Sequence, residues 1–239
     1  PIICLYKTDG TPGNVSKVFP CAEDIASKNI VRDVLDITKS GDTLYFRGRH
    51  FSTGTELWKT DGTAAGTKLV KDIYPGILGG TNLNSNPRYL TDLSGTLMFF
   101  ANDGPENTVP ASLWRSDGTE SGTRLVKRVA LAAAPDGLKR VITTWKGALY
   151  FSGTDLNGNH GLWRSDGTEA GTTLIKNFLS LGGVPPDLLT LTDNLLFFRG
   201  CTAQFGCELW RSDGTPEGTS MVKDVSISRH VRADVDEIT

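Results

Sequence analysis

A segment of eleven residues recurs along this chain, and nothing else in it constrains the fold so tightly. Leu57-Trp58-Lys59-Thr60-Asp61-Gly62-Thr63-Ala64-Ala65-Gly66-Thr67 returns as Leu113 to Thr123, Leu162 to Thr172 and Leu209 to Thr219. A worn copy, Leu5 to Thr11, opens the sequence. The Asp-Gly pairs start at 9, 61, 117, 166 and 213, which makes the spacings 52, 56, 49 and 47 residues, the range of propellers and solenoids. Upstream of each full copy lies an apolar, aromatic run: Leu44-Tyr45-Phe46, Leu97 to Phe100, Leu149 to Phe151 and Leu195 to Phe198. A turn and another short apolar segment precede each run, and a Leu-Val-Lys-like triplet follows each DGTxxGT. Each repeat therefore reads as four strands, A to D, and no stretch holds a helical period.

Four antiparallel strands per repeat of about 50 residues make a propeller blade, because each sheet buries its faces only against neighbouring sheets. The expected fold is all-β: a five-bladed β-propeller of four-stranded antiparallel blades forming one domain over residues 1–239. Its repeats fall near 31–80, 81–130, 131–180 and 181–225. The fifth blade would combine 1–30 with 226–239, closing the ring with N- and C-terminal strands and removing exposed sheet edges. The 27 glycines and 11 prolines suit such a turn-rich chain. With 25 basic and 27 acidic residues, the chain has no electrostatic reason to bind nucleic acid or an anionic membrane. No apolar window is long enough for a spanning helix, and the start at Pro1 lacks a leader pattern, so the expectation is a soluble chain whose signal peptide is already removed.

Within the repeated segment, Asp9, Asp61, Asp117, Asp166 and Asp213 are placed to accept backbone N–H groups two residues on, and the glycines to supply positive φ. Turn chemistry explains them better than metal or sugar ligation. The Leu-Trp pair alternates across the sheet, so each member faces a different neighbouring blade and the tryptophan is packing. Lys71, Lys127, Lys176 and Lys223 read as solvated charges protecting an outer edge.

Glu56-Leu57-Trp58-Lys59-Thr60-Asp61-Gly62-Thr63 and Glu208-Leu209-Trp210-Arg211-Ser212-Asp213-Gly214-Thr215 resemble the ELWxxDGT repeat proteins, a family mostly secreted by or attached to the surface of myxobacteria and related bacteria. The first copy departs from the pattern at Tyr6 and at Gly13-Asn14, and the motif glutamate is lost at Ser112 and Gly161. The resemblance implies a repeat fold and export, and carries no known reaction. The turn is also similar to the Asp-box of sialidase-type propellers, which is structural there.

The four cysteines form two local pairs. Cys201 and Cys207 bracket a B–C loop and Cys4 and Cys21 bracket the first C–D hairpin, so two disulfides and an oxidising, extracytoplasmic location are expected. Zinc lacks a Cys-x-x-Cys, and His50, His160 and His230 lie in different repeats. Asp155, Asn157 and Asn159 have the alternate-oxygen spacing of a calcium loop, but His160 stands where an EF-hand needs glycine; calcium is the one cofactor raised, against an ordinary Asn/Gly turn. Asp33, Asp36, Asp92, Asp193 and Asp234, on or beside the A strands, are candidates for a glycosidase-like carboxylate pair and read better as turn acids near the A–B turns. No hydrolase, metalloprotease or phosphate-loop motif is present.

D–A and B–C connections share one face in this topology and vary from blade to blade, whereas the A–B and C–D turns hardly change. Recognition belongs on the variable loops. The residues expected to carry it are Arg49, His50, Tyr74, Asn102, Asp155, Asn157 and His160. The function expected is a secreted bacterial binding module, lectin-like toward surface or extracellular glycans, with a protein-binding or adhesion propeller as the alternative and a glycoside hydrolase further behind.

Overall fold

The computed structural model describes residues 5–18, 31–105, 110–132 and 141–225. Every full copy of the repeat folds as one antiparallel sheet in simple meander order. By neighbourhood the chain divides into two compact units, residues 1–130 with 167–169, and 131–166 with 170–239.

In the first unit, a hairpin of β1 (Tyr6–Thr8) and β2 (Val15–Lys17) is followed by a sheet of β3 (Val31–Ser40), β4 (Thr43–His50), β5 (Gly54–Thr60) and β6 (Lys68–Lys71). The small hairpin β7 (Ile77–Leu78) and β8 (Thr81–Asn82) leads to a second sheet of β9 (Arg88–Leu93), β10 (Thr96–Ala101), β11 (Ser112–Ser116) and β12 (Arg124–Lys127). After β13 (Val129–Leu131), the third sheet is β14 (Ile142–Trp145), β15 (Ala148–Asp155), β16 (His160–Ser165) and β17 (Thr173–Asn177), with β13 as an added strand on β15. A single 3-10 turn, Leu179–Leu181, precedes the fourth sheet: β18 (Val184–Leu191), β19 (Leu196–Thr202), β20 (Gly206–Ser212) and β21 (Ser220–Lys223). Strands A to D thus fall where the repeat puts them. The closing blade expected from 1–30 and 226–239 falls largely outside the described residues, as do the Cys4–Cys21 pair, Asp234 and His230.

Period-2 alternation decides what each sheet buries. Leu57 of the first sheet meets Leu90, Leu97, Phe99 and Trp114 of the second in one core, while Trp58 faces the opposite way with Val31, Val34 and Phe46. The second unit repeats the arrangement: Leu162 of the third sheet and Trp210 of the fourth share a core with Tyr150, Phe178, Leu189 and Phe198. Leu57 with Trp114 in the first unit, and Leu162 with Trp210 in the second, are therefore inter-sheet packing, while Leu209 of the fourth sheet is 49% exposed.

The C–D turns form closed hydrogen-bond rings. Asp61 Oδ1 accepts from Thr63 N–H at 2.9 Å, Thr63 Oγ1 accepts from Gly66 N–H at 3.0 Å, and Thr60 and Thr67 join hydroxyls across the hairpin at 2.8 Å. Ser116–Thr123, Ser165–Thr172 and Ser212–Thr219 repeat that hydroxyl pair at 2.7 Å. In the worn first copy, Asn14 Nδ2 donates to Asp9 Oδ2 at 2.6 Å, standing in for the missing Gly-Thr. In the four full copies only the first glycine has positive φ, as at Gly62 (+85°). The second, such as Gly66, is needed for space, since a Cβ there would lie 2.0 Å from the Asp61 carboxylate.

The lysines do more than guard an edge. Lys71 Nζ donates to Thr123 O in the next sheet's turn at 3.0 Å, and Lys176 Nζ lies 5.6 Å above the Trp210 ring. These charges tie neighbouring sheets together.

Candidate functional site

In both units the D–A and B–C connections meet at one end of the sheets. In the first, Thr55 N–H donates to Asn84 Oδ1 at 2.8 Å, Asn102 N–H to Ser85 O at 2.8 Å, and the Asn82 amide to Phe51 O. In the second, Ala203 N–H donates to Leu181 O at 2.9 Å, and His160 Nε2 pairs with Gly183 O at 2.7 Å. The opposite end carries the A–B and C–D turns, where Ser40 Oγ donates to Asp92 Oδ1 at 2.6 Å and Lys146 Nζ to Asp213 O at 3.4 Å. Variable loops are thus gathered on one end of each unit, held by a uniform scaffold.

The buried glutamate of the motif anchors those loops. Glu56 Oε1 accepts from Ser85 N–H at 2.8 Å and Oε2 from Ile73 N–H at 3.0 Å, with the Ser85 hydroxyl also on Oε2. Burial pushes its carboxyl up to about 7, against the lowering effect of those donors. Glu208 anchors the fourth sheet's loop in like manner, its Oε2 accepting from Val225 N–H at 3.2 Å. Where the glutamate is lost, other groups fill in: Phe178 N–H donates to His160 O at 2.8 Å, and a Cβ at Gly161 would lie 1.8 Å from Lys176 O. This role went unread in the sequence, although the shared spacing from glutamate to the residue two beyond the D-strand lysine was visible.

Strand A carries a second unread device. Asp36, Tyr89 and Leu188 have φ of 56°, 56° and 57°, each within a register shift of its strand pair. Two residues on, Thr91 and Thr190 donate their hydroxyls back to Tyr89 O at 2.9 Å and Leu188 O at 3.1 Å, with Thr38 and Asp36 placed alike. The recurring threonine is the signal for these bulges.

Within the first unit the loop residues singled out from sequence do not form one site. Arg49 and His50, at the end of β4, line a cleft of about 410 Å³ with Arg32, Asp33, Phe51 and Asn82. His50 is 9% exposed; its Nδ1 pairs with Ser52 Oγ at 2.8 Å, and burial lowers its pKa, which keeps the ring neutral. Tyr74 is half-buried and outside that cleft. Asn102 is 1% exposed and lies within the loop packing, so it offers a ligand no surface. Asp155, Asn157, Asn159 and His160 cluster in the second unit. There Asp155 Oδ1 accepts from the N–H groups of Asn157 and Asn159 at 2.9 Å each, and Asn159 turns its amide nitrogen to Asp155 Oδ2 at 3.0 Å. That is the geometry of an Asx turn, with donors where a calcium loop presents oxygens. Among the described residues no group of three or more His, Cys, Asp or Glu side chains is placed to hold a metal ion.

A second pocket, of about 330 Å³ and mainly apolar, opens between Leu181, Thr202, Gln204, Phe205, Trp210 and Met221, beside the Cys201–Cys207 disulfide that pins its loop. Of the acids weighed as a catalytic pair, Asp36 faces Arg47 at 3.3 Å and Asp92 is engaged in its turn, while Asp33 lines the 410 Å³ cleft. No helix among the described residues is long and apolar enough to cross a membrane.

The fold has a solved counterpart. Puromycin hydrolase matches over 87% of this chain with a TM-score of 0.51 and 16% identity, and this chain spans 30% of that enzyme's length. All-β, with four-stranded antiparallel blades, the fold resembles that enzyme's propeller domain. A serine-to-alanine mutant of puromycin hydrolase complexed with PGG matches over 80% of this chain and 28% of its own, with a TM-score of 0.49 and 18% identity. No protein-family model and no curated protein matches the sequence.

Proposed function

We propose that the chain is an exported, non-catalytic β-propeller module of the ELWxxDGT type from a bacterium, whose loop end recognises extracellular glycans. The observation that carries this reading is the division of each unit into a uniform turn end and a loop end, where a polar cleft with an aromatic wall opens beside Phe51 in the first unit and a mainly apolar pocket beside Phe205 in the second. Sugars are held by such walls together with amide, hydroxyl and charged groups fixed on a rigid scaffold. The Cys201–Cys207 bond fits an oxidising compartment. A further, closing blade belongs to the same reading: Leu57, Leu113 and Leu162 are 0% exposed but Leu209 is 49% exposed, an open face of the kind another blade covers.

A glycan array on the intact chain, with and without a calcium chelator, tests the reading, paired with non-reducing mass spectrometry. Saturable binding competed by free sugar, unaffected by chelation and accompanied by intact disulfides, is expected. A blank array overturns it. In that event the second reading, a protein-binding propeller, gains from the hairpin tip of β7 and β8, where Ile77 and Leu78 are 71% and 74% exposed.

A further inference from the structure

Arg32 and Arg49 face each other directly across β3 and β4, so their side chains leave the same side of the sheet. Neither has a hydrogen-bond or ion-pair partner among the described residues. Like charges in this register repel, and the repeat itself does not call for them: Asn102, Thr154 and Cys201 occupy the place of Arg49 in the other three sheets. Both arginines line the 410 Å³ cleft. We propose, building on the glycan-binding reading, that this cleft takes a carboxylate-bearing saccharide, the sugar acid seated between the two guanidinium groups.

The surroundings suit a sugar acid. Phe51, 59% exposed, offers a ring wall for the C–H face of a sugar. Asn82, whose amide nitrogen is spent on Phe51 O, keeps its Oδ1 for a hydroxyl, and Thr81 adds a hydroxyl of its own. Asp33 sits in the same cleft with φ of 54°, held in the left-handed region by a β-bulge. Its carboxylate accepts sugar hydroxyls and offsets one of the two positive charges, which fits a singly charged group better than a polyanion. Guanidinium and carboxylate match in planar, two-pronged geometry, so a pair of arginines sets both affinity and orientation.

Calorimetric titration of trigalacturonate against the intact chain, beside a neutral galactose trisaccharide and a hexaglutamate peptide, tests the proposal. Wild type is expected to prefer trigalacturonate, and the double variant Arg32→Gln/Arg49→Gln to bind it roughly tenfold or more weakly. Because the substitutions remove a like-charge pair, the thermal midpoint of the variant is expected to stay equal or rise, separating lost binding from lost folding. Neutral saccharide bound as well as the acid, or an unchanged affinity in the double variant, overturns this proposal and leaves glycan binding standing. Preference for hexaglutamate overturns the saccharide assignment. Failure of every saccharide here and on the array removes both readings.

Discussion

Single atoms explain why the repeat holds its letters. At Gly66, Gly122, Gly171 and Gly218 a Cβ would come within about 2.0 Å of the turn aspartate, so even alanine forces the hairpin apart. Gly122→Ala is expected to cost about 2–3 kcal/mol in urea unfolding. Positive φ belongs only to the first glycine of each of these pairs; the second is required by its approach to the aspartate carboxylate, which composition does not reveal. Titration adds a second prediction. Hydrogen bonds from Thr63, Thr119 and Thr215 hold Asp61, Asp117 and Asp213 below the usual 3.8, and the Thr11 bonds do so for Asp9, so their contribution is in place above that value and is lost as pH falls further. Glu56 works in the other direction. An acid raised from 4.5 to about 7 by burial binds its proton more readily folded than unfolded, so stability climbs as pH drops from 7 toward 4.5, by up to about 3 kcal/mol. Melts taken across the acid to neutral range should show a maximum near about pH 4–5, and Glu56→Gln should flatten the limb above it.

Strands and sheets were the most legible level. Alternation, the Leu-Trp pair and turn punctuation place all four sheets, since burial on both faces leaves a period-2 record. The bulges of strand A were not legible, because Tyr89 and Leu188 adopt left-handed φ without being glycine or asparagine. Tyr89→Gly should therefore leave stability unchanged or raise it by up to about 1 kcal/mol, measured by thermal unfolding. Packing between sheets sets a sharper contrast. Leu113→Ala, at a position fully enclosed, is expected to cost about 2–5 kcal/mol, whereas Leu156→Ala, 64% exposed, should cost about 0.5 kcal/mol or less in the same denaturant series. Reducing Cys201–Cys207, which closes a short loop, should lower stability by about 2 kcal/mol and loosen the Phe205 pocket.

For the molecule as a whole, repetition made the scaffold readable and left the site obscure. Arg49 and His50 were picked out because their loop varies, yet Arg32, the residue that gives Arg49 its meaning, lies on another strand and is brought opposite only by pairing through two bulges. Asn102, at the start of a variable B–C loop, is interior at 1% exposure. The central claim, that the loop end binds glycan while the turn end is scaffold, is tested most directly by one glycan array run on three proteins. These are the intact chain, a loop-end variant Arg49→Gln/Phe205→Ala, and a turn-end variant Glu120→Gln/Arg124→Gln, whose side chains are exposed. The account predicts saturable binding by the intact chain and the turn-end variant and its loss in the loop-end variant. Binding lost only in the turn-end variant, or absent in all three, would contradict it.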